Sequence, residues 1–181
     1  MLTGKRLRLR AIEKEDLPRF VVWLNDPEVA RHLVFHAPMS LLQEEKWHEN
    51  ILQKHTAEQP LVIERDAPEG WIPIGNIGFL AIDWINRSTE LGIFIGEKTY
   101  WNQGYGREAI ELMLRFGFEG LNLNRIFLRV DETNLGGIHC YEHAGFILEG
   151  RQRQAKFEDG QYIDLLQMSV LRSEWLSRKT T

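Results

Sequence analysis

Glu90-Leu91-Gly92-Ile93-Phe94-Ile95-Gly96, followed after four more residues by the turn Trp101-Asn102-Gln103-Gly104-Tyr105-Gly106-Arg107, is the stretch whose reading decides the fold. Glu90 to Ile95 has the apolar run of a buried strand. The turn leads into a helix expected from about Arg107 to Phe118, with Ala109, Leu112, Met113 and Phe116 on one face and Gly120 as its C-cap. Arg125 to Val130 then reads as another strand. Strand, helix, strand with no hairpin between them requires a right-handed parallel crossover.

Working outward, Leu61 to Arg65 and Ile72 to Ile82 precede that unit as strands, with turns at Asp66-Ala67-Pro68-Glu69-Gly70 and Asn86-Arg87-Ser88. They form a meander, so the sheet is mixed and mostly antiparallel. Lys5 to Arg10 alternates as a half-buried strand. A helix follows, with Asp16 as N-cap, Pro18 in its first turn and an end at Asn25-Asp26-Pro27. Ser40 and Gln43 make a capping box for a second helix carrying Trp47 and Ile51 inward. The irregular segment His32 to Met39 suits a pocket wall or a cover over the core. A short helix is expected around Gly136 to Ala144, and two strands joined at Asp159-Gly160 close the chain. With 181 residues and no repeat or linker, residues 1–181 are expected to form one α+β domain with helices flanking the sheet.

The 22 Lys and Arg against 26 Asp and Glu give a net charge of -4. That argues against sequence-independent nucleic-acid binding, which needs a basic face. Cys140 is the single cysteine, so no intrachain disulfide forms and a cytoplasmic location is expected. There is no apolar run of the ~20 residues that a membrane span requires, and no membrane partner is expected.

Glycines between a strand and a helix let backbone amides approach an anion, and a helix start favours negative charge. A pyrophosphate fits such a turn. Gly104-Tyr105-Gly106-Arg107-Glu108-Ala109 also matches the dinucleotide pattern G-x-G-x-x-A, with Asp131 ending the next strand where a ribose-binding acid would stand. Against a nicotinamide site, the approach from Gly96 to Gln103 is long where that fingerprint needs a tight turn. The motif also falls late, with one crossover remaining.

The Glu90–Gly96 strand, the Gly104-Tyr105-Gly106 turn, Asn134, and Tyr141-Glu142-His143-Ala144-Gly145-Phe146 together resemble the GCN5-related N-acetyltransferases, most of all the branch of ribosomal-protein alanine and spermidine acetyltransferases. Trp101 departs from the Arg or Gln that usually opens the family's turn. The resemblance implies a parallel strand pair that splays to admit the pantetheine arm of acetyl-coenzyme A. It implies main-chain contacts at Phe94 and Ile95, a pyrophosphate cradle over Gln103, Gly104, Tyr105, Gly106 and Arg107, and a coenzyme contact at Asn134. Tyr141 matches the general acid. A phenol titrates near ~10 and a free thiol near ~8.5, so a phenol can supply the proton a departing thiolate needs. Glu90 is the carboxylate best placed to take the amine's proton, with Asp131 and Glu132 as groups that attract a cationic acceptor.

The implied activity is transfer of acetyl from acetyl-CoA to a primary amine by direct attack. The amine belongs to a protein N-terminus, a polyamine or an amino sugar. A catalytically silent acyl-CoA-binding protein is the alternative, and a homodimer through the last hairpin is expected. No metal is required. His139-Cys140-Tyr141-Glu142-His143 fits a zinc pattern, but Ala144-Gly145 stops the helix and no third ligand is apparent. Cys140 on an amphipathic helix reads as packing rather than as an acyl carrier. Trp23, Trp47, Trp71, Trp84 and Trp175 read as core or rim.

Overall fold

The computed structural model describes residues 1–33 and 37–179, with only the backbone of Lys179. The strands are β1 (Leu2–Thr3), β2 (Leu7–Ala11), β3 (Leu61–Arg65), β4 (Ile72–Asp83), β5 (Ser88–Ile95), β6 (Arg125–Asp131), β7 (Ile147–Glu158) and β8 (Gln161–Leu171). They form one sheet in the order β1-β2-β3-β4-β5-β6-β8-β7. Every neighbouring pair is antiparallel except β5 and β6. The helices are α1 (Leu17–Leu24), α2 (Pro27–Ala30), α3 (Leu41–Ile51), α4 (Tyr105–Arg115), α5 (Leu135–Ala144) and α6 (Arg172–Lys179).

The parallel pair is short. Ser88, Thr89 and Glu90 face Arg125, Ile126 and Phe127, and the register stops there, although β5 runs on to Ile95 and β6 to Asp131. Past Glu90 the strands diverge into a wedge, each still tied to its other neighbour, β4 or β8. The wedge is the feature that positions the site.

Alternation along β5 and β6 gives the sheet two different faces. Leu91, Ile126, Leu128 and Val130 join Ala109, Ile110 and Met113 of α4 in the larger core. Full burial of each such side chain stabilises by about 1.5–3 kcal/mol. On the other face Phe94 packs against Phe20 and Trp23 of α1, in a second cluster with Ile51 of α3. Glu90, Arg129 and Asp131 share that second face. At the foot of α1, Arg10 bonds Asp16 through both terminal nitrogens (2.6 and 2.7 Å) and Glu64 through Nε (2.8 Å), which ties β2 and β3 to the helix start. Burial pushes the Asp16 carboxyl up, but the Arg10 guanidinium and the Glu13 amide outweigh it and hold it below the ordinary range.

Several expected boundaries move. Asp16 stands at the N-cap position of α1 but makes no side-chain cap bond; it closes a 3-10 turn, Lys14–Asp16, and its carboxylate serves Arg10 and the Glu13 amide. Helix α4 begins at Tyr105 rather than Arg107, because Gly104 takes the left-handed φ of +81° that ends the turn two residues early. It continues into a π-helical turn, Phe116–Gly120, so Gly120 is not the cap, and Asn122 takes the positive φ instead. The chain closes with α6 rather than with the hairpin, and the edge strand β1 carries too few residues for a period to show. The Ser40–Gln43 capping box and the left-handed Asp159-Gly160 turn are both formed. Residues 34–36 of the expected pocket wall lie outside the described residues.

Candidate active site

The Gly96 amide donates to Ile74 O across to β4 (2.9 Å), and the Trp101 indole donates to Ile95 O (2.7 Å) from the opposite side. Antiparallel alternation then turns the backbone of Phe94 toward Asn76 and that of Ile93 and Ile95 toward the wedge. The backbone of Phe94, the expected main-chain contact, is thus turned to β4, and that of Ile93 faces the wedge. Phe94 contributes its ring to the second cluster instead.

At the head of α4 the amides of Gly104, Tyr105, Gly106 and Arg107 have no partner among the described residues, and Glu108 N is the first to find one, Gly104 O at 3.1 Å. Four orphan donors at the positive end of an eleven-residue helix suit a diphosphate. The two glycines serve different ends. Gly104 is needed for its positive φ. Gly106 has an ordinary φ, and a methyl there would meet only Cys140 Sγ at 3.5 Å, so the protein's own packing does not require a bare backbone. An approaching ligand does, and the turn fits coenzyme A on that ground.

The side chains around the cradle are largely occupied elsewhere. Gln103 donates to Thr99 O (2.6 Å), Arg107 pairs with Glu111 (2.8 Å), and the buried Tyr105 ring lies edge-on to Tyr100 with Arg6 over its face. What Gln103, Tyr105 and Arg107 offer a phosphate is backbone, and Arg107 adds a half-exposed charge. Asn134 caps α5 through Oδ1, accepting from Gly137 N at 2.9 Å, and its amide nitrogen is left to donate.

Tyr141 rides on α5 against the large core, its ring 6.0 Å from Phe146, and its hydroxyl has no hydrogen-bond partner among the described residues. Burial pushes its proton affinity well above that of a free phenol, and the Cys140 and Asp131 charges push the same way. It is held in its proton-donating form. Burial likewise pushes the Cys140 thiol up to about 11, far from a thiolate nucleophile at neutral pH.

Across the sheet, Glu90 accepts from Arg129 through both carboxylate oxygens (2.8 and 3.1 Å). Two residues along β6, the buried Asp131 bonds His32 Nδ1 (3.0 Å) and Lys156 Nζ (2.6 Å). Lys156 completes its three donors with Arg31 O (2.9 Å) and Glu158 (3.1 Å). The donor atoms of His32, Asp131 and Glu158 lie within 4.8 Å of one another, a spacing that suits a metal, but the Lys156 ammonium already bonds both carboxylates. Glu132 is spent on Arg151 and the Asp164 amide. The zinc-like histidines of α5 gather no third ligand among the described residues, and His143 Nδ1 donates to His139 O at 2.8 Å.

Of the tryptophans, Trp23 and Trp175 are buried and Trp47 packs on the second cluster. Trp71 lies under Arg8 and Trp84 against His55. Sequence reading missed Ile93, His32 and Lys156. A meander period marks Ile93 as apolar without saying which neighbour its amide faces. His32 and Lys156 sit in an irregular segment and a hairpin, 124 positions apart, with no motif to join them.

The chain matches the family described as "Acetyltransferase (GNAT) domain" over residues 6–147. It is 34% identical to a spermidine N(1)-acetyltransferase of Vibrio cholerae, over 97% of this chain and 98% of the relative, and 28% identical to that of Escherichia coli, over 100% and 94%. A putative ribosomal N-acetyltransferase of Bacillus subtilis is 30% identical over 58% of this chain and 57% of its own. The crystal structure of the Vibrio cholerae spermidine N-acetyltransferase with CoA and spermine superposes with a TM-score of 0.86 at 29% identity, covering 96% of this chain and 99% of that one. No helix among the described residues is long and apolar enough to cross a membrane. The chain belongs to the GNAT acetyltransferases and transfers acetyl from acetyl-CoA to an amine.

Proposed function

We propose that the acceptor is a polyamine and that the transfer is direct. The observation carrying the mechanism is the wedge, which joins unpaired β5 amides on one side to a partly buried, protonated Tyr141 on the other. The Ile93 and Ile95 amides face the thioester arm and polarise its carbonyl, while the Gly104–Arg107 amides hold the diphosphate. The neutral amine nitrogen bonds to the carbonyl carbon, the carbon–sulfur bond breaks, and the Tyr141 hydroxyl gives its proton to the departing sulfur. Cys140 takes no part.

Glu90 is held against the wedge by Arg129, so it meets the amine as a fixed anion. It serves to draw a cation toward the opening. Likeness along the whole chain to spermidine acetyltransferases supports the polyamine reading, as do the carboxylates Glu158 and Asp159 beside the acceptor cleft. Residues 1–181 work as one unit in the cytoplasm. The long exposed edge of β7 suits pairing with a second copy.

The test is thiol release from acetyl-CoA with spermidine, spermine, an alanine-terminated peptide and an aminoglycoside. Spermidine and spermine should give the highest kcat/KM. A clear preference for the peptide or the sugar would overturn the acceptor assignment.

A further inference from the structure

The acceptor arrives as an ammonium and must lose a proton before it can attack, since an alkylamine titrates near ~10.4. On the acceptor face Glu90 is engaged by Arg129 at both oxygens, and Asp131 by two donors. Each of these carboxylates is tied to a cationic partner, and the His32 ring beside them offers a second nitrogen.

Asp131 Oδ2 is an acceptor only, and it accepts from Lys156 at 2.6 Å. The His32 nitrogen 3.0 Å from the same oxygen must therefore donate, which fixes the Nδ1–H tautomer. In the neutral ring Nε2 then carries the lone pair, and no described residue bonds it. The ring is 29% exposed, and it faces an open cleft of about 290 Å³ lined also by Arg31, Thr133, Glu158 and Gln161. Thr133 directly precedes the cap of α5, the helix that carries Tyr141. Asp131 is also close enough for its charge to act on the Tyr141 hydroxyl.

We propose that His32, oriented by the buried carboxylate of Asp131, is the catalytic base that takes the proton from the acceptor ammonium at Nε2. Asp131 is a positioning residue, pinned in turn by Lys156. A base steered by a buried carboxylate at its other ring nitrogen is the arrangement that hydrolytic triads use. The proton leaves the ammonium for Nε2, the freed nitrogen pair attacks, and Tyr141 supplies a separate proton to sulfur. The charged groups around His32 are Asp131 from β6, Lys156 and Glu158 from β7, Arg31 beside it, and Asp159 at the hairpin tip, which pairs with Arg31.

This inference rests on the acetyl-transfer reading, so one arm of its test avoids activity. Nitrogen-15 NMR of the ligand-free protein should show His32 as the Nδ1–H tautomer, and that preference should weaken in Asp131→Asn. An Nε2–H tautomer in the native protein overturns the proposal whatever the enzyme does. In the kinetic arm, His32→Gln should lower kcat with the preferred amine by about 10²-fold at neutral pH. KM for acetyl-CoA should stay within about twofold, which also reports that the variant is folded. The loss should shrink as pH approaches the amine's own ~10.4, where no base is needed. Native turnover with His32→Gln unchanged, or reduced by the same factor at every pH, removes His32 from the reaction while leaving the transferase assignment standing.

Discussion

On one face of β5 and β6, Leu91, Ile126, Leu128 and Val130 meet helix α4, and the groups proposed to bind the coenzyme are backbone amides at Ile93, Ile95 and Gly104–Arg107. On the other face, Glu90, Arg129, Asp131, Lys156 and His32 form paired charges over an aromatic cluster. The first face holds a large common ligand with groups every residue owns. The second sorts small acceptors with groups only particular residues own. Side-chain substitutions should therefore be mild on the coenzyme face, unless they add bulk or remove Tyr141, and selective on the acceptor face.

The largest effect that would break this contrast is at Tyr141, the coenzyme-side residue whose side chain is proposed to do chemistry. Tyr141→Phe should lower kcat by about 10²-fold or more, with acetyl-CoA affinity by calorimetry almost unchanged. Unaltered turnover would take the phenol out of the mechanism.

Next comes Glu44 on α3, buried beneath the acceptor face with no hydrogen-bond partner among the described residues. Burial pushes its carboxyl up to about 7 from an ordinary value of 4.5. The folded state thus holds this proton more tightly than the unfolded chain. Its contribution is most favourable below about 4.5 and is lost as pH rises through about 7. Glu44→Gln should therefore stabilise the protein at pH 8 by something on the order of 2 kcal/mol, with little change at pH 4, in denaturant titrations at both values. Equal effects at both would mean that the carboxyl does not ionise against its surroundings.

Smaller again, Gly106→Ala should weaken acetyl-CoA binding about tenfold, the scale of one displaced contact. Thermal stability should hold or rise, since a helical glycine costs roughly 0.5–1 kcal/mol relative to alanine. Unchanged affinity would show that no ligand approaches this backbone. Cys140→Ala should leave kcat within about twofold, as expected of a thiol that burial keeps protonated; a loss of turnover would reopen an acyl-cysteine route.

The same contrast explains what the sequence could convey. The crossover, the glycine turn and Tyr141 are local patterns: a strand period, a helix period and a short spacing. Each survives in a string of letters. The turning of the Phe94 backbone to β4, and of Ile93 to the wedge, was hidden because alternation fixes which side chains are buried, while the direction of an amide depends on which neighbour a strand pairs with. The start of α4 shifted because one left-handed glycine, not two, completes the turn. The acceptor face was least legible. His32, Asp131 and Lys156 come from three distant segments, and a lone lysine in a hairpin reads as a solvated charge until the fold buries it between two carboxylates.

Strand β8 lies between β6 and β7, although it is made after both. The strand that carries Arg129 and Asp131 thus acquires its second, longer partner from the last strand of the chain. During synthesis β6 stays an open, apolar edge until the ribosome has released residues up to Leu171, and the hairpin must form before it can dock there. Lys156 reaches Asp131 across β8, so the acceptor face is completed only when the β7–β8 hairpin has docked on β6.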